Sequence, residues 1–186
     1  SSASVSLAST ATLTEESSLL GFPAVMIRQA HERPEGMDEA TVVMSDLKPA
    51  RVLDAIESRR SSAFIGVPTL CRTLLESGAA DRDLTSVRVW ISGADVMPAD
   101  VARRFKSFGA TATLPGIGPV GEAAFVEGYG MVEVGGSVAA KVSPPLLPIG
   151  LGDALGLSMP GWKLKVTDPD GRSVRPGQVG ELRLRG

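Results

Sequence analysis

Short apolar strands and crossover-length amphipathic helices alternate along this chain, and this alternation constrains the fold more than any other feature. Four strands are predicted, at residues 40–44, 62–66, 87–91 and 111–114. Pro68 and Pro98 stand where the second and third of the intervening helices begin, a position that proline favours. Such an alternation is typical of a parallel sheet with helices on its faces. The predicted fold class is therefore α/β, with a mostly parallel sheet.

The sequence changes character after Lys141. Prolines break the chain, and two alternating segments then flank Asp168-Pro169-Asp170-Gly171, a strong turn signal. A small antiparallel β element is therefore predicted from near residue 145. Before the sheet, capping-box spacing predicts a helix from about Glu15 to about His31, interrupted near Pro23. The predicted parts are a lead-in with a helix, an α/β subdomain and the start of a small β subdomain, at residues 1–39, 40–144 and 145–186.

Composition excludes several classes of protein. The chain has 186 residues, 43% of them hydrophobic, which is sufficient for a packed core. Its formal net charge of -2 offers no basic surface for nucleic acid. No apolar run is long enough for a transmembrane segment, and the first residues lack a charged-then-apolar pattern, so we expect no secretory signal. Cys71 is the one cysteine, so we expect a reducing, cytoplasmic location and no disulfide.

Glycine or proline stands at three expected strand ends, in segments 66–68, 92–95 and 126–133, the last of which itself begins as a strand. Ligands of parallel sheets bind beyond the carboxyl ends of the strands. In the third segment, glycines flank Tyr129, whose ring can stack on a flat base, and Glu133 follows four residues later. The predicted site is therefore a nucleotide site. Glu127 is interpreted as structural.

The ordered set of motifs resembles the adenylate-forming enzymes, and within them the acyl-CoA synthetases. Gly-Tyr-Gly-Met-Val-Glu at 128–133 is similar to the family's Gly-Tyr-Gly-Met-Thr-Glu, and Ser-Gly-Ala-Asp at 92–95 is similar to its adenine loop. Gly-Val-Pro-Thr at 66–69 resembles the turn beside its acyl tunnel. The Pro-Gly-Gln-Val-Gly-Glu-Leu run from residue 176 follows the family's pattern too. The resemblance covers residues 40–186.

The resemblance implies ATP, AMP and magnesium as ligands. Tyr129 would stack on the adenine face, and Glu133 would hold the Mg²⁺ that neutralises phosphate charge, which makes it the implied catalytic residue. Asp95 would lie beside the adenine, although it could instead cap the helix that starts around Pro98. The implied nucleotide-binding residues are Gly93, Ala94, Asp95, Gly128, Tyr129, Gly130, Met131 and Val132.

The resemblance also implies a fatty or other apolar carboxylic acid as substrate. In the family reaction the acid attacks the α-phosphorus of ATP, and coenzyme A then displaces AMP from the acyl-adenylate. The implied acyl-binding residues are Val67, Pro68, Gly130 and Met131.

The sequence departs from the family's pattern in two respects. Val132 replaces the threonine whose hydroxyl reaches the α-phosphate, and no Pro-Lys-Gly loop is found. We therefore expect an internal piece of a longer synthetase, inactive as residues 1–186 alone. The alternatives are a fatty acyl-AMP ligase or another adenylating enzyme, and a non-catalytic module that binds nucleotide or acyl groups.

Overall fold

The computed structural model describes residues 48–147 and 149–186, together with the backbone of two short strands. These strands, β1 (Ala24–Ile27) and β2 (Val42–Ser45), pair in parallel. The predicted helix from Glu15 to His31 is thus wrong at residues 24–27, and its remainder lies outside the described residues. The segment Ala-Val-Met-Ile has the branched apolar character of a strand, and pairing with β2 satisfies its backbone.

Three helices follow, each preceding or separating strands of one sheet. Helix α1 (Pro49–Ser58) and helix α2 (Pro68–Glu76) both begin at proline, where the missing N–H would have no helical acceptor anyway. Helix α3 (Ala99–Phe108) begins directly after Pro98. Strands β3 (Ala63–Gly66) and β4 (Val89–Gly93) alternate with these helices, as the sequence predicted. One-turn 3₁₀ helices lie at Ala79–Asp81 and Val132–Val134.

The main sheet has five strands in the order β3-β4-β7-β8-β9. Its last three strands are β7 (Ala124–Met131), β8 (Gly136–Ser143) and β9 (Leu157–Ser158). Strands β3, β4 and β7 are parallel, whereas β8 and β9 join in antiparallel orientation. The predicted fold class, a mostly parallel sheet with flanking helices and a small antiparallel element, is confirmed.

The fourth predicted strand of the alternation lies outside this sheet. Strand β5 (Ala112–Leu114) forms an antiparallel hairpin with β6 (Gly118–Val120). Gly116 and Gly118 adopt positive φ angles of 76° and 96°, which reverse the chain within a few residues. The segment therefore returns on itself before it reaches the sheet, and β7 takes the place beside β4.

The predicted antiparallel element is present near the end of the chain. Strand β10 (Lys163–Thr167) pairs with β11 (Glu181–Arg185). The turn at 168–171 is closed by the Gly171 amide, which donates to the Asp168 carbonyl at 3.0 Å. Strand β9, which falls in the range predicted for this element, joins the main sheet instead. The boundaries of the three predicted parts stay predictions.

The core lies on one face of the sheet, with Trp90 at its centre. Phe64, Trp90 and Phe125 are register partners on neighbouring strands, and Phe105 of α3 packs edge-on against Trp90 with ring centroids 4.9 Å apart. Helices α2 and α3 connect strands that advance in one direction, so right-handed crossovers put both on this face. None of the helices in the described part of the chain has the length and apolar character of a membrane span.

Candidate nucleotide-binding site

The sheet brings the three predicted loops together at one edge. Gly66 is the register partner of Ser92, and Gly93 is the register partner of Gly128. Strands β3 and β4 end at this level, while β7 continues to Met131. The loop after β4 therefore lies directly beside the Gly-Tyr-Gly segment. This juxtaposition was expected from strand order, because carboxyl ends of parallel strands share one edge.

In the loop after β4, the exposed residues Ala94 and Asp95 lie between the buried residues Ser92 and Met97. Ala94 adopts the left-handed region at φ 71°, which an alanine rarely does. Asp95 is exposed and its Oδ1 accepts a hydrogen bond from the Val96 amide at 2.7 Å. It makes no cap, because α3 begins without a side-chain cap. Met97, 1% exposed, anchors the far end of the loop in the core.

Ser92, the residue directly before this loop, has a buried hydroxyl group without a hydrogen-bond partner within the described ranges. Its side chain is buried, and its hydroxyl oxygen has no hydrogen-bond partner among the described residues. Buried hydroxyls are normally paired, so an unpaired one next to a ligand site calls for a partner such as a water or a bound group.

Tyr129 is half-buried, and the strand pairing changes at this residue. The β7–β8 register shifts between Tyr129, which pairs with Ala139, and Gly130, which pairs with Ser137. A Cβ added at Gly130 would clash with the backbone of Gly136 and lie 2.7 Å from the Ser137 Cα. Gly130 therefore has a structural requirement for glycine, in addition to the ligand role implied by the resemblance.

The far end of β7 is open to solvent. Val132 and Glu133 lie in the 3₁₀ turn that follows Met131, and Val132 is 92% exposed. Glu133 is also exposed, so its carboxylate is accessible to a ligand. At the other end of the site, Val67 is 46% exposed and Pro68 is buried as the first residue of α2.

Glu133 could bind a divalent cation only together with other oxygen ligands. Across the described residues, no group of three His, Cys, Asp or Glu side chains could hold a metal ion. Magnesium in nucleotide sites is commonly bound by one or two carboxylates together with substrate phosphates. A single exposed carboxylate is compatible with that arrangement, in which the phosphates supply the remaining ligands.

Two Lys–Glu pairs in which the lysine is buried were not predicted. Lys141 Nζ lies 3.0 Å from Glu127 Oε1 across β7 and β8, and it also donates to the Gly152 carbonyl. Lys106 Nζ lies 2.9 Å from Glu122 Oε1. The interpretation of Glu127 as structural agrees with its ion pair. Its partner could not be found from the sequence, because strand β8 was not predicted and a cross-strand pair needs the register.

The model of the AMP-binding enzyme family matches residues 37–186. The chain belongs to this family. The match spans α1 to α3 and the whole five-stranded sheet, including every residue of the candidate site. The resemblance of the motifs to adenylate-forming enzymes is confirmed by this match.

Curated relatives of this AMP-binding enzyme chain include ligases from bacteria and plants. It is 33% identical over 150 residues to 4-coumarate–CoA ligase 1 of Oryza sativa subsp. japonica, covering 79% of this chain and 25% of the relative. It is 28% identical over 163 residues to a feruloyl-CoA synthase of Amycolatopsis sp., covering 82% and 28%. The chain thus spans between a quarter and three tenths of the length of these relatives.

Solved structures share the fold of this AMP-binding enzyme chain. A long-chain-fatty-acid-CoA ligase from Archaeoglobus fulgidus superposes with a TM-score of 0.62 at 18% identity, covering 95% of this chain and 37% of that one. At this identity the similarity concerns the fold alone.

Proposed function

We propose that this chain binds an adenine nucleotide between the loop after β4 and the Gly128–Met131 end of β7. The observation that carries the proposal is the register pair Gly93–Gly128, which sets the two segments side by side. Tyr129 is half-buried at this point, so the residue remains partly accessible to a ligand. Stacking of a base on an aromatic ring contributes roughly 1–3 kcal/mol in single-stranded nucleic-acid complexes.

The reaction we propose is the joining of a carboxylic acid to coenzyme A through an acyl-adenylate. The substrate carboxylate attacks the α-phosphorus of ATP, pyrophosphate leaves, and the thiol of coenzyme A then displaces AMP. In this scheme Gly93, Ala94 and Asp95 border the adenine, and Tyr129 stacks on it. Glu133 would hold Mg²⁺, whose charge would stabilise the negative charge on the phosphates.

The acid that we propose is apolar, and its chain would lie along Val67, Pro68, Gly130 and Met131. The exposed apolar surface of Val67 at the site edge supports this. The names of two relatives, a 4-coumarate–CoA ligase and a feruloyl-CoA synthase, favour an aromatic acid over the fatty acid expected from the motifs. An aromatic acid is thus the first candidate and a fatty acid the second.

Titration calorimetry with AMP tests the nucleotide site. We expect saturable binding that Tyr129→Ala weakens by about tenfold to a hundredfold, which corresponds to the stacking energy above. Tyr129→Phe is the matched control, since it keeps the ring and should keep most of the affinity. Equal affinity in wild type and Tyr129→Ala would contradict the proposed site.

Non-hydrolysable acyl-adenylate analogues test the acid. Sulfamoyl adenosines of coumaric acid and of dodecanoic acid share the nucleotide, so their affinities differ only through the acyl group. We expect the coumaroyl compound to bind more tightly than AMP. Tighter binding of the dodecanoyl compound would favour the fatty acid. Analogues no tighter than AMP would favour a module that binds nucleotide alone. Since inactivity of residues 1–186 stays a prediction, binding is measured before turnover.

A further inference from the structure

The end of β7 that carries Tyr129 is paired with β8 but not with β4. Gly93–Gly128 is the last register pair between β4 and β7, so residues 129–131 have no strand partner on that side among the described residues. On the other side they pair with β8, through a shift between Tyr129 and Gly130. The backbone that carries Tyr129 therefore depends on β8 for its support, and a slip of β8 by one residue would replace every side chain that β8 presents beside it.

The side chains along this part of the ladder do little to fix that register. Gly128 pairs with Ala140, Tyr129 with Ala139, and Gly130 with Ser137. Val138, which is fully buried, is the one large apolar side chain of β8 in this stretch, so few side chains distinguish one pairing from the next. A charged pair beside the stretch would add to the selection of the observed register.

Glu127 and Lys141 have the properties required for that selection. They are register partners immediately before the small-residue stretch, with Nζ and Oε1 3.0 Å apart. The side chains are 13% and 6% exposed, so each charge needs the other. The Lys141 ammonium also donates to the Gly152 carbonyl, which fixes its position further. A one-residue slip would place Lys141 opposite Gly128 and the Glu127 carboxylate opposite Val142. A slip in the other direction would place Glu127 opposite Ala140.

We propose that Glu127 and Lys141 form a positioning pair that stabilises the β7–β8 register and thereby holds the segment of Tyr129 at the nucleotide site. The significance of the pair for binding rests on the proposed function, whereas its effect on the Tyr129 ring does not. The Lys106–Glu122 pair provides a matched comparison. It is another Lys–Glu pair with a buried lysine, but its lysine lies on helix α3 and bonds the loop after β8 at the Pro144 and Leu147 carbonyls.

The first experiment observes the ring directly. Tyr129 is the one tyrosine in the 186 residues, so incorporation of 3-fluorotyrosine gives a single ¹⁹F resonance. We expect one narrow line for the wild type and for Glu122→Gln, in which Lys106 keeps the Ser143 hydroxyl and the Pro144 and Leu147 carbonyls as acceptors. We expect a shifted, broadened or multiple line for Glu127→Gln combined with Lys141→Met. The double variant is decisive because it removes both charges, whereas Glu127→Gln alone can unfold the chain by leaving Lys141 unpaired. A single narrow line at the wild-type position in the double variant would overturn the proposal.

The second experiment links the pair to binding through a mutant cycle. The double variant should lower AMP affinity at least tenfold when Tyr129 is present and have no further effect in a Tyr129→Ala background. Glu122→Gln should leave affinity unchanged. Equal AMP affinity in the double variant and the wild type would disprove the positioning role. If the wild type did not bind AMP, the proposed function would be wrong. The ¹⁹F spectra recorded without nucleotide would then still test the inference about the register.

Discussion

Gly93 and Gly128 are partners in the last rung between β4 and β7, where a Cβ on Gly93 would lie 3.2 Å from the Gly128 carbonyl oxygen. The backbones of the two predicted site segments thus approach each other closely without an intervening side chain. Because neither residue has a side chain, a flat ligand can approach the backbone closely at this point. Glycine commonly occurs where a ligand lies against the main chain for this reason.

Val132→Thr should strengthen nucleotide binding without a change in stability. Val132 is 92% exposed, so its methyl groups contribute almost nothing to packing. The family's threonine hydroxyl reaches the α-phosphate, and a hydrogen bond to a charged group contributes about 1.5–3 kcal/mol. We expect the AMP dissociation constant to fall by about tenfold or more in calorimetry. Val132→Ala, which adds no hydroxyl, serves as control and should match the wild type. An unchanged constant for the threonine variant would mean that the α-phosphate lies elsewhere.

Gly130→Ala should destabilise the β7–β8 pairing. The added methyl would meet the Gly136 backbone and lie 2.7 Å from the Ser137 Cα, so the strands must separate. We expect a loss of about 1–3 kcal/mol in the free energy of unfolding measured with urea. Gly128→Ala is the matched control. Its methyl would meet only the end of the Ser137 side chain, at 3.2 Å, which can rotate away. Equal losses for the two variants would rule out this explanation of Gly130.

The parallel part of the fold was predictable because its signals are local. Pro68 and Pro98 mark helix starts, and the apolar runs at 62–66 and 87–91 mark strands. Once these elements alternate, chain connectivity and handedness fix the position of the loops. The approach of the Gly93 loop to Gly128 follows from that reasoning, with no knowledge of side-chain contacts.

The antiparallel additions were not predictable in the same way. Strand β8 consists largely of glycine, alanine, serine and valine, a composition without strong periodicity. The hairpin of β5 and β6 depends on two glycines with positive φ, and sequence alone does not reveal which glycines adopt it. The Glu127–Lys141 pair joins residues 14 positions apart through this unpredicted strand, so the residues that we propose to position Tyr129 were identified only from the register.

Lys106→Met should cost much more stability than the loss of an exposed ion pair. The Lys106 ammonium is 3% exposed and bonds the Ser143 hydroxyl and the Pro144 and Leu147 carbonyls, besides its contact with Glu122. Removing it leaves several oxygen acceptors without this donor, and the Glu122 carboxylate keeps the Leu146 amide as a donor but loses its counter-charge. We expect a loss on the order of 3 kcal/mol in urea unfolding.

The exposed Arg172–Asp170 pair supplies the comparison for Lys106. Its atoms are 3.2 Å apart, but both side chains are more than 70% exposed and solvent screens the interaction. Arg172→Met should therefore cause no measurable loss. Comparable losses for Lys106→Met and Arg172→Met would indicate that burial does not determine the strength of these pairs.

Cys71 should make the stability of the fold fall at alkaline pH. Burial raises the pKa of its thiol from about 9 to about 12, because the thiolate cannot be solvated in the core. Below pH 9 the thiol is protonated in both states and its full contribution is present. Above pH 9 the unfolded thiol ionises while the folded one does not, so stability is lost until the pH approaches 12. The loss at pH 10 relative to pH 8 should be about 1.4 kcal/mol.

Cys71→Ala isolates this contribution of the thiol. The variant creates a small cavity, which lowers stability equally at every pH, and it lacks the ionising group. Since all other groups titrate in both proteins, the stability advantage of the wild type over the variant should shrink between pH 8 and pH 10 in urea unfolding. The buried thiol should also react with iodoacetamide only once urea unfolds the chain, because the thiolate is the reactive form. A constant advantage across this pH range, together with rapid alkylation of the folded protein, would show that Cys71 is accessible to solvent.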